Sequence, residues 1–160
     1  MKQETQFSLF QSLTSNRNLG LVTLAEVYRL ITTDATLKEN AGKFRYFQAQ
    51  GFDDDADKIK RSKSLVFTPA AVFDGKRNGK NRVSYTQYSL VDIDKLEEGQ
   101  AERLVQLLKD DPYWLLAYIT LSGKGLRIIF RVEGVTDEQT YRKAFYQGND
   151  YYCRLFGITR

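Results

Sequence analysis

The sequence predicts an α+β fold, and three observations carry that reading. Helical spacing bracketed by capping signals fills much of the first 63 residues, strand patterns take over from Ser64, and a four-position apolar helix stripe lies between two of the later strands. With 160 residues, 42% hydrophobic and 28% charged, the chain has apolar material for one ordinary domain and needs no disulfide to hold it. Residues 1–63 read as a mainly helical N-terminal part, and residues 64–160 as the sheet and helices that carry a site.

Leu24, Val27, Tyr28 and Ile31 recur at helical spacing behind Thr23, and Glu26 follows three residues after it, which is a capping box. A second helix is predicted from about Leu37 to Gln50 through Ala41, Phe44 and Phe47. Asp53, Asp54 and Asp55 then lead into Lys58, Lys60 and Arg61, acid at the front and base at the back, as a helix dipole favours. Leu65–Thr68 and Ala71–Phe73 read as strands running into a basic, glycine-bearing turn from Asp74 to Arg82, with a returning strand from Val83 to Asp94. Ala101, Leu104, Val105 and Leu108 mark one buried helix face, closed by Asp111 and Pro112. Strands from Trp114 to Leu121 and from Leu126 to Val132 flank a turn at Gly123–Gly125, and a last helix is predicted from a Thr136-to-Gln139 capping box to Gly157. In order, the second half reads strand, helix, strand, strand, helix. That is a ferredoxin- or RRM-like split β-α-β-β-α unit, one strand short of the full βαββαβ pattern.

Composition excludes several chemistries. There is no histidine, so imidazole acid–base catalysis, Ser-His and Cys-His nucleophiles and histidine-ligated zinc are out. The single cysteine, Cys153, sits among Tyr151, Tyr152 and Leu155 and reads as a small buried hydrophobe. No run approaches the ~18 apolar residues of a membrane span and the N-terminus lacks a secretion signal, so the expected location is the cytoplasm with no membrane partner. A net charge of +4 permits a phosphate-bearing partner without requiring one.

Carboxylate chemistry remains. Asp92 and Asp94 stand two apart on a strand and share a face, about 6.7 Å apart at Cα, opposite the apolar Val91 and Ile93. Two such carboxylates can lean onto one divalent ion, because Mg²⁺ takes one or two carboxylates plus waters and phosphates. Acids at a strand end also cap a following helix, so the pair alone leaves both readings open. Ser122, Gly123, Lys124, Gly125 and Arg127 gather two glycines, a hydroxyl, an ammonium and a guanidinium in one turn, which suits phosphate, although a tight hairpin needs glycines in any case. Alternation puts Arg127 on the side of the acids if Leu126 and Ile128 share the apolar face. Lys76, Arg77, Lys80 and Arg82 can follow a nucleic-acid backbone and Tyr85 and Tyr88 can stack on bases, and a solvated hairpin tip accounts for the same residues.

Together these residues resemble the archaeo-eukaryotic primase (primase-polymerase) superfamily, and within it the primase-like domain at the N-terminus of VirE-type (virulence-associated protein E) proteins of mobile elements. Ser89–Asp94 is similar to the superfamily's hydrophobic strand ending in D-x-D, and Ser122–Arg127 to its S-G-x-G-x-H motif. Phe7–Phe10, Thr23–Val27, Lys60–Phe73 and Asp111–Tyr113 resemble further VirE-type segments. The resemblance implies a primase-polymerase-like fold and metal-dependent, template-directed nucleotidyl transfer in replication or mobilisation. Asp92 and Asp94 would be the catalytic, metal-holding acids for Mg²⁺ or Mn²⁺. Ser122, Gly123, Lys124, Gly125 and Arg127 would hold the phosphates of a nucleoside triphosphate, beside a DNA or RNA template. It also implies that the chain is the N-terminal part of a longer protein with a C-terminal helicase-type domain. Two departures stand out: Arg127 replaces the motif's histidine, and the third acid of the superfamily is expected beyond Arg160. The competing expectations are a catalytically silent module of the same fold that binds nucleic acid or nucleotide, and a protein-interaction domain in which the acids are incidental.

Overall fold

The computed structural model describes residues 4–159 and is an α+β chain of five α-helices and three small antiparallel sheets. It divides into two compact units, one ending at Ser84 and the other beginning at Tyr85. The division falls well after residue 63 because the strands that follow the helices pair back within the N-terminal unit.

In that unit, β1 (Phe7–Phe10) is the middle strand of a sheet with β2 (Asn18–Val22) and β3 (Val66–Thr68), antiparallel to both. The sequence patterns do not mark the β1–β2 hairpin; β1 is buried along its whole length, and a run without alternation carries no period to detect. Between β2 and β3 lie α1 (Leu24–Thr33), α2 (Ala35–Ala49) and α3 (Asp53–Ser62). The Thr23–Glu26 capping box forms as the sequence predicts, and the two reciprocal bonds hold the Glu26 carboxyl below its ordinary range, chiefly through the Thr23 backbone N–H. Only Val27 of the predicted apolar face of α1 is buried; Tyr28 and Ile31 are exposed. β4 (Ala71–Phe73) pairs with β5 (Arg82–Tyr85) across the basic turn. This turn is fastened by Asp74 N–H to Asn81 O at 2.8 Å and by Arg77 N–H to the Asn16 side chain at 3.0 Å.

The single returning strand predicted from Val83 to Asp94 is instead two strands in different sheets. β5 stops at Tyr85, Thr86 turns its hydroxyl to the Tyr88 N–H at 3.1 Å, and β6 (Tyr88–Ile93) begins a new sheet. In this C-terminal unit, α4 (Gln100–Leu107) runs into a 3₁₀ turn at Leu108–Asp110, followed by β7 (Trp114–Ile119), β8 (Leu126–Arg131) and α5 (Glu138–Phe156). The sheet order is β6-β8-β7, with β8 antiparallel to both neighbours. β6, α4 and β7 therefore form a β-α-β crossover split by an inserted strand.

One face of this sheet meets both helices. Val91, Ile93, Leu126, Ile128 and Phe130 pack with Leu96, Ala101, Leu104, Leu108 and Tyr152 into a single core. Each fully buried Leu, Ile or Phe contributes about 1.5–3 kcal/mol. The close seat of α5 depends on Gly148: a Cβ there would lie 2.2 Å from the Phe130 ring. Beside it, the Asn149 side chain donates to Leu90 O of β6 at 3.2 Å. The helix starts one residue later than predicted. Asp137, not Thr136, is the N-cap, because its carboxylate accepts from Thr140 N–H at 2.8 Å while the Thr140 hydroxyl accepts from Asp137 N–H. Gly157 ends it in the left-handed conformation, and Cys153 is half-buried.

Asp111 clamps the C-terminal half of α5. It is buried and accepts from Tyr151 Oη at 2.7 Å, from Tyr152 Oη at 2.8 Å and from Trp114 N–H at 3.2 Å. The bond to Asp111, then burial, pushes Tyr151 up to about 12; burial first and then the same carboxylate raise Tyr152. Both hydroxyls thus stay protonated as donors.

Gly148→Ala should destabilise the protein by up to roughly 2 kcal/mol in urea denaturation, since overpacking costs about 1–3 kcal/mol against the ~1 kcal/mol helix gain of alanine. Adding Phe130→Leu should recover part of that loss. For the clamp, a tyrosine pKa raised on folding contributes stability that is complete below about pH 10 and is lost as pH rises through the folded value, near 12 for Tyr151. Unfolding free energy of Tyr152→Phe should accordingly fall less steeply than that of the natural chain between these pH values, and parallel curves would reject the clamp.

Candidate functional site

The site lies at the end of the β6-β8-β7 sheet nearest the 120–125 turn, on the face away from α4 and α5. Alternation in β6 puts Val91 and Ile93 into the core and leaves Asp92 exposed. Register then sets its neighbour: Asp92 lies opposite Arg127 on β8, and Arg127 opposite Tyr118 on β7. Three side chains from three strands thus form one cross-strand row.

Within the row the Arg127 guanidinium forms an ion pair with Asp92 Oδ2 through Nη2 and donates to Tyr118 Oη through Nη1 at 3.3 Å. Its charged plane also lies 6.0 Å from the centre of the Tyr118 ring. Burial by itself would favour losing the Arg127 proton, but the neighbouring Tyr118 and Asp92 more than offset it, so the guanidinium is held more firmly charged than usual. Burial raises the Tyr118 pKa against the opposing effect of Arg127, which keeps the phenol neutral. On the same face Ile129 and Leu116 are buried and Leu90 is half-buried.

Asp94 stands just past the end of β6, exposed, and no hydrogen bond or ion pair engages its carboxylate among the described residues. It is not a helix cap, because α4 begins six residues later at Gln100 with Gly99 as its N-cap. Lys95 takes the left-handed conformation, φ 59°, which turns the chain sharply after Asp94. That turn lets Leu96 N–H reach Lys124 O at 2.9 Å and ties the acid-bearing segment to the hairpin loop.

The loop itself is closed by Thr120 N–H to Gly125 O and Gly123 N–H to Thr120 O, both at 2.9 Å. Gly123 has φ 75°, and Gly125 is pressed against its surroundings: a Cβ would meet Thr120 Oγ1 at 2.5 Å, Ile93 O at 2.9 Å and Asp94 Oδ1 at 3.1 Å. The Ser122 hydroxyl accepts from Lys124 N–H at 3.2 Å, and Lys124 is exposed. The structure therefore brings Asp92, Asp94, Gly125 and Arg127 to one end of one face, with Ser122, Gly123 and Lys124 in the loop beside them. Sequence reading missed Tyr118 and Thr120. Counting antiparallel partners outward from the loop would have placed Tyr118 opposite Arg127. Tyr85, read as a base-stacking candidate, stacks instead on Tyr141 at 5.2 Å and 22°. The basic turn with Lys76, Arg77, Lys80 and Arg82 belongs to the N-terminal unit, where Arg77 lies over the Phe10 ring.

Two carboxylates and a guanidinium, one carboxylate ion-paired and one free among the described residues, meet at the end of a split β-α-β sheet. Over residues 58–159 the sequence matches the family described as BT4734-like, N-terminal domain, and since this is more than half of the chain, the protein belongs to that family. No curated protein and no solved structure matches it. Among the described residues, no group of three acidic or cysteine side chains is placed to hold a metal ion together, and no helix is long and apolar enough to cross a membrane.

Gly125→Ala should loosen the loop, because alanine cannot fit without moving Thr120 or the Ile93 backbone. The expected result is faster hydrogen exchange at the Leu96 amide with α4 and α5 unaffected. Unchanged exchange would show that the tight contact at Gly125 is not what fastens the loop.

Proposed function

We propose that the C-terminal unit carries a primase-like nucleotidyltransferase site that binds a nucleoside triphosphate with Mg²⁺ or Mn²⁺ beside a nucleic-acid template. One observation carries the reading: Asp92 and Arg127 face each other across β6 and β8, with Asp94 against Gly125 at the same sheet end. The sheet order β6-β8-β7 with α4 and α5 on one face supports a ferredoxin-like unit of the primase-polymerase kind. The resemblance of Ser89–Asp94 and Ser122–Arg127 to the two superfamily motifs supports the substrate class.

The donor set suits a divalent ion that keeps most of its waters. Asp94 has an unengaged carboxylate, Asp92 has one oxygen outside the ion pair, and Mg²⁺ accepts one or two carboxylates with substrate phosphates. When bound, such ions steady the attacking and leaving oxygens of an in-line phosphoryl displacement. The chain's own residues bind and orient. Lys124 and Arg127 neutralise phosphate charge, Arg127 with a fork that fits two oxygens. Gly123, exposed in the loop, lets backbone approach the anion, while Gly125 keeps the loop against Ile93 and Asp94. Arg127 stays protonated, so it positions phosphate and does not transfer a proton. The same reading keeps the expected cytoplasmic location, and a helicase-type domain in the same protein would fit that role.

A second reading, a silent nucleotide- or nucleic-acid-binding module, is favoured by the ion pair in which Arg127 already engages Asp92. Melting curves separate the possibilities. Mn²⁺ with a nucleoside triphosphate should raise the melting temperature by several degrees, since ligand at 100 times its Kd adds about 2.7 kcal/mol, and Asp92→Ala and Asp94→Ala should abolish the shift. Equal shifts in all three proteins would remove the acids from the site. A shift without incorporation of labelled nucleotide on a primed template would favour the silent module.

A further inference from the structure

Arg127 spends its charge inside the molecule. Of its five N–H donors, one group meets Asp92 and another Tyr118, while Nε is buried and has no hydrogen-bond partner. An unpartnered buried N–H costs free energy, so the present arrangement leaves the guanidinium under-satisfied. The ion pair also changes what Asp92 offers. Its carboxylate and that of Asp94 present two negative charges to an arriving ion, but a fixed positive charge already sits on one of them. A free divalent cation is therefore opposed by Arg127 at close range. A cation that arrives on a polyphosphate brings an anion for the guanidinium, which can then leave Asp92. Asp92 and Arg127 side chains are each about one-third exposed, 33% and 35%, so neither is locked away from that exchange.

We propose that Arg127 is an internal counter-ion that makes the Asp92/Asp94 pair select a divalent ion already complexed to a polyphosphate over the free ion. The inference rests on the nucleotide-binding reading and adds an order to it: polyphosphate and metal enter together, and the guanidinium changes partner from carboxylate to phosphate as they do.

Binding of Mn²⁺, followed by the loss of the free-ion electron paramagnetic resonance signal, tests it without any turnover. The natural chain should bind free Mn²⁺ weakly and Mn²⁺ with a non-hydrolysable nucleoside triphosphate tightly. Arg127→Gln should bind free Mn²⁺ roughly tenfold more tightly, the order expected from removing one unit charge near a divalent ion in water-like surroundings, and should lose most of the gain from nucleotide. Asp92→Asn should bind neither form well. Arg127→Met, an unbranched side chain without the charge, should repeat the Gln result if that variant proves poorly folded by circular dichroism. If removing the guanidinium leaves affinity for free Mn²⁺ unchanged, the counter-ion role is overturned while the nucleotide site stands. If the natural chain binds neither free nor nucleotide-complexed Mn²⁺, although Arg127→Gln gains free Mn²⁺, the nucleotide reading itself fails and the selectivity falls with it.

Discussion

Antiparallel register between β6 and β8 is the constraint on which the C-terminal unit turns, because side chains alternate with a period of two and a slip of one residue would send every one of them to the other face. In the observed register Val91 meets Ile128 and Ile93 meets Leu126 on the helix side, while Asp92 meets Arg127 on the other. The same pairing that buries the apolar set thus brings a carboxylate and a guanidinium into contact. If β6 slipped, Asp92 would turn under α4 and α5, Val91 and Ile93 would be exposed, and Arg127 would lose its partner. Core and site are specified together, and neither can be altered by register without losing the other.

Two features hold that register against fraying at its ends. At the loop end, Lys95 turns the chain back so that Leu96 pairs with Lys124, and Gly125 lets the loop backbone lie against Ile93 and Asp94. Further along, α5 is pressed onto Phe130 at Gly148 and tied to Leu90 O by Asn149, while Asp111 gathers the hydroxyls of Tyr151 and Tyr152. The site is consequently built on strands and a fastened loop, which is where a few tenths of an ångström in donor placement can be maintained.

Much of this was legible in the order of residues. The α+β class, the capping box at Thr23, the α3 charge gradient, the β7–β8 hairpin, the split crossover and the left-handed stop at Gly157 all rest on local signals: periodicity, side chains that satisfy helix-end N–H groups, and glycine where φ is positive. That Asp92 and Arg127 share the face opposite Val91 and Ile128 was legible for a similar reason, as alternation fixes faces within a strand. Elements without a local signature were missed. The β1 strand is buried throughout and shows no alternation, and the break at Thr86 and Gln87 is not marked by glycine or proline, so one apparent strand conceals two that join different sheets. The cap at Asp137 was misplaced by one residue because Thr136 offers the same spacing to Gln139 as Asp137 offers to Thr140.

What the sequence determined alone is which residue types sit at which spacing: two acids two apart on a strand, two glycines and two cations around a hairpin, and no histidine for proton transfer. Such spacing fixes faces within one strand, because that depends only on backbone geometry. Tertiary structure decided which strand lies next to which, and therefore that Arg127 faces Asp92, that Tyr118 completes the row, and that Asp94 flanks Gly125 instead of capping α4. The β6 pairings join residues more than 30 apart in the chain and are set by how the apolar faces of β6, β8, α4 and α5 close on one another, which no local pattern encodes; the Tyr118–Arg127 pair, nine apart across the hairpin, follows once that loop is fixed.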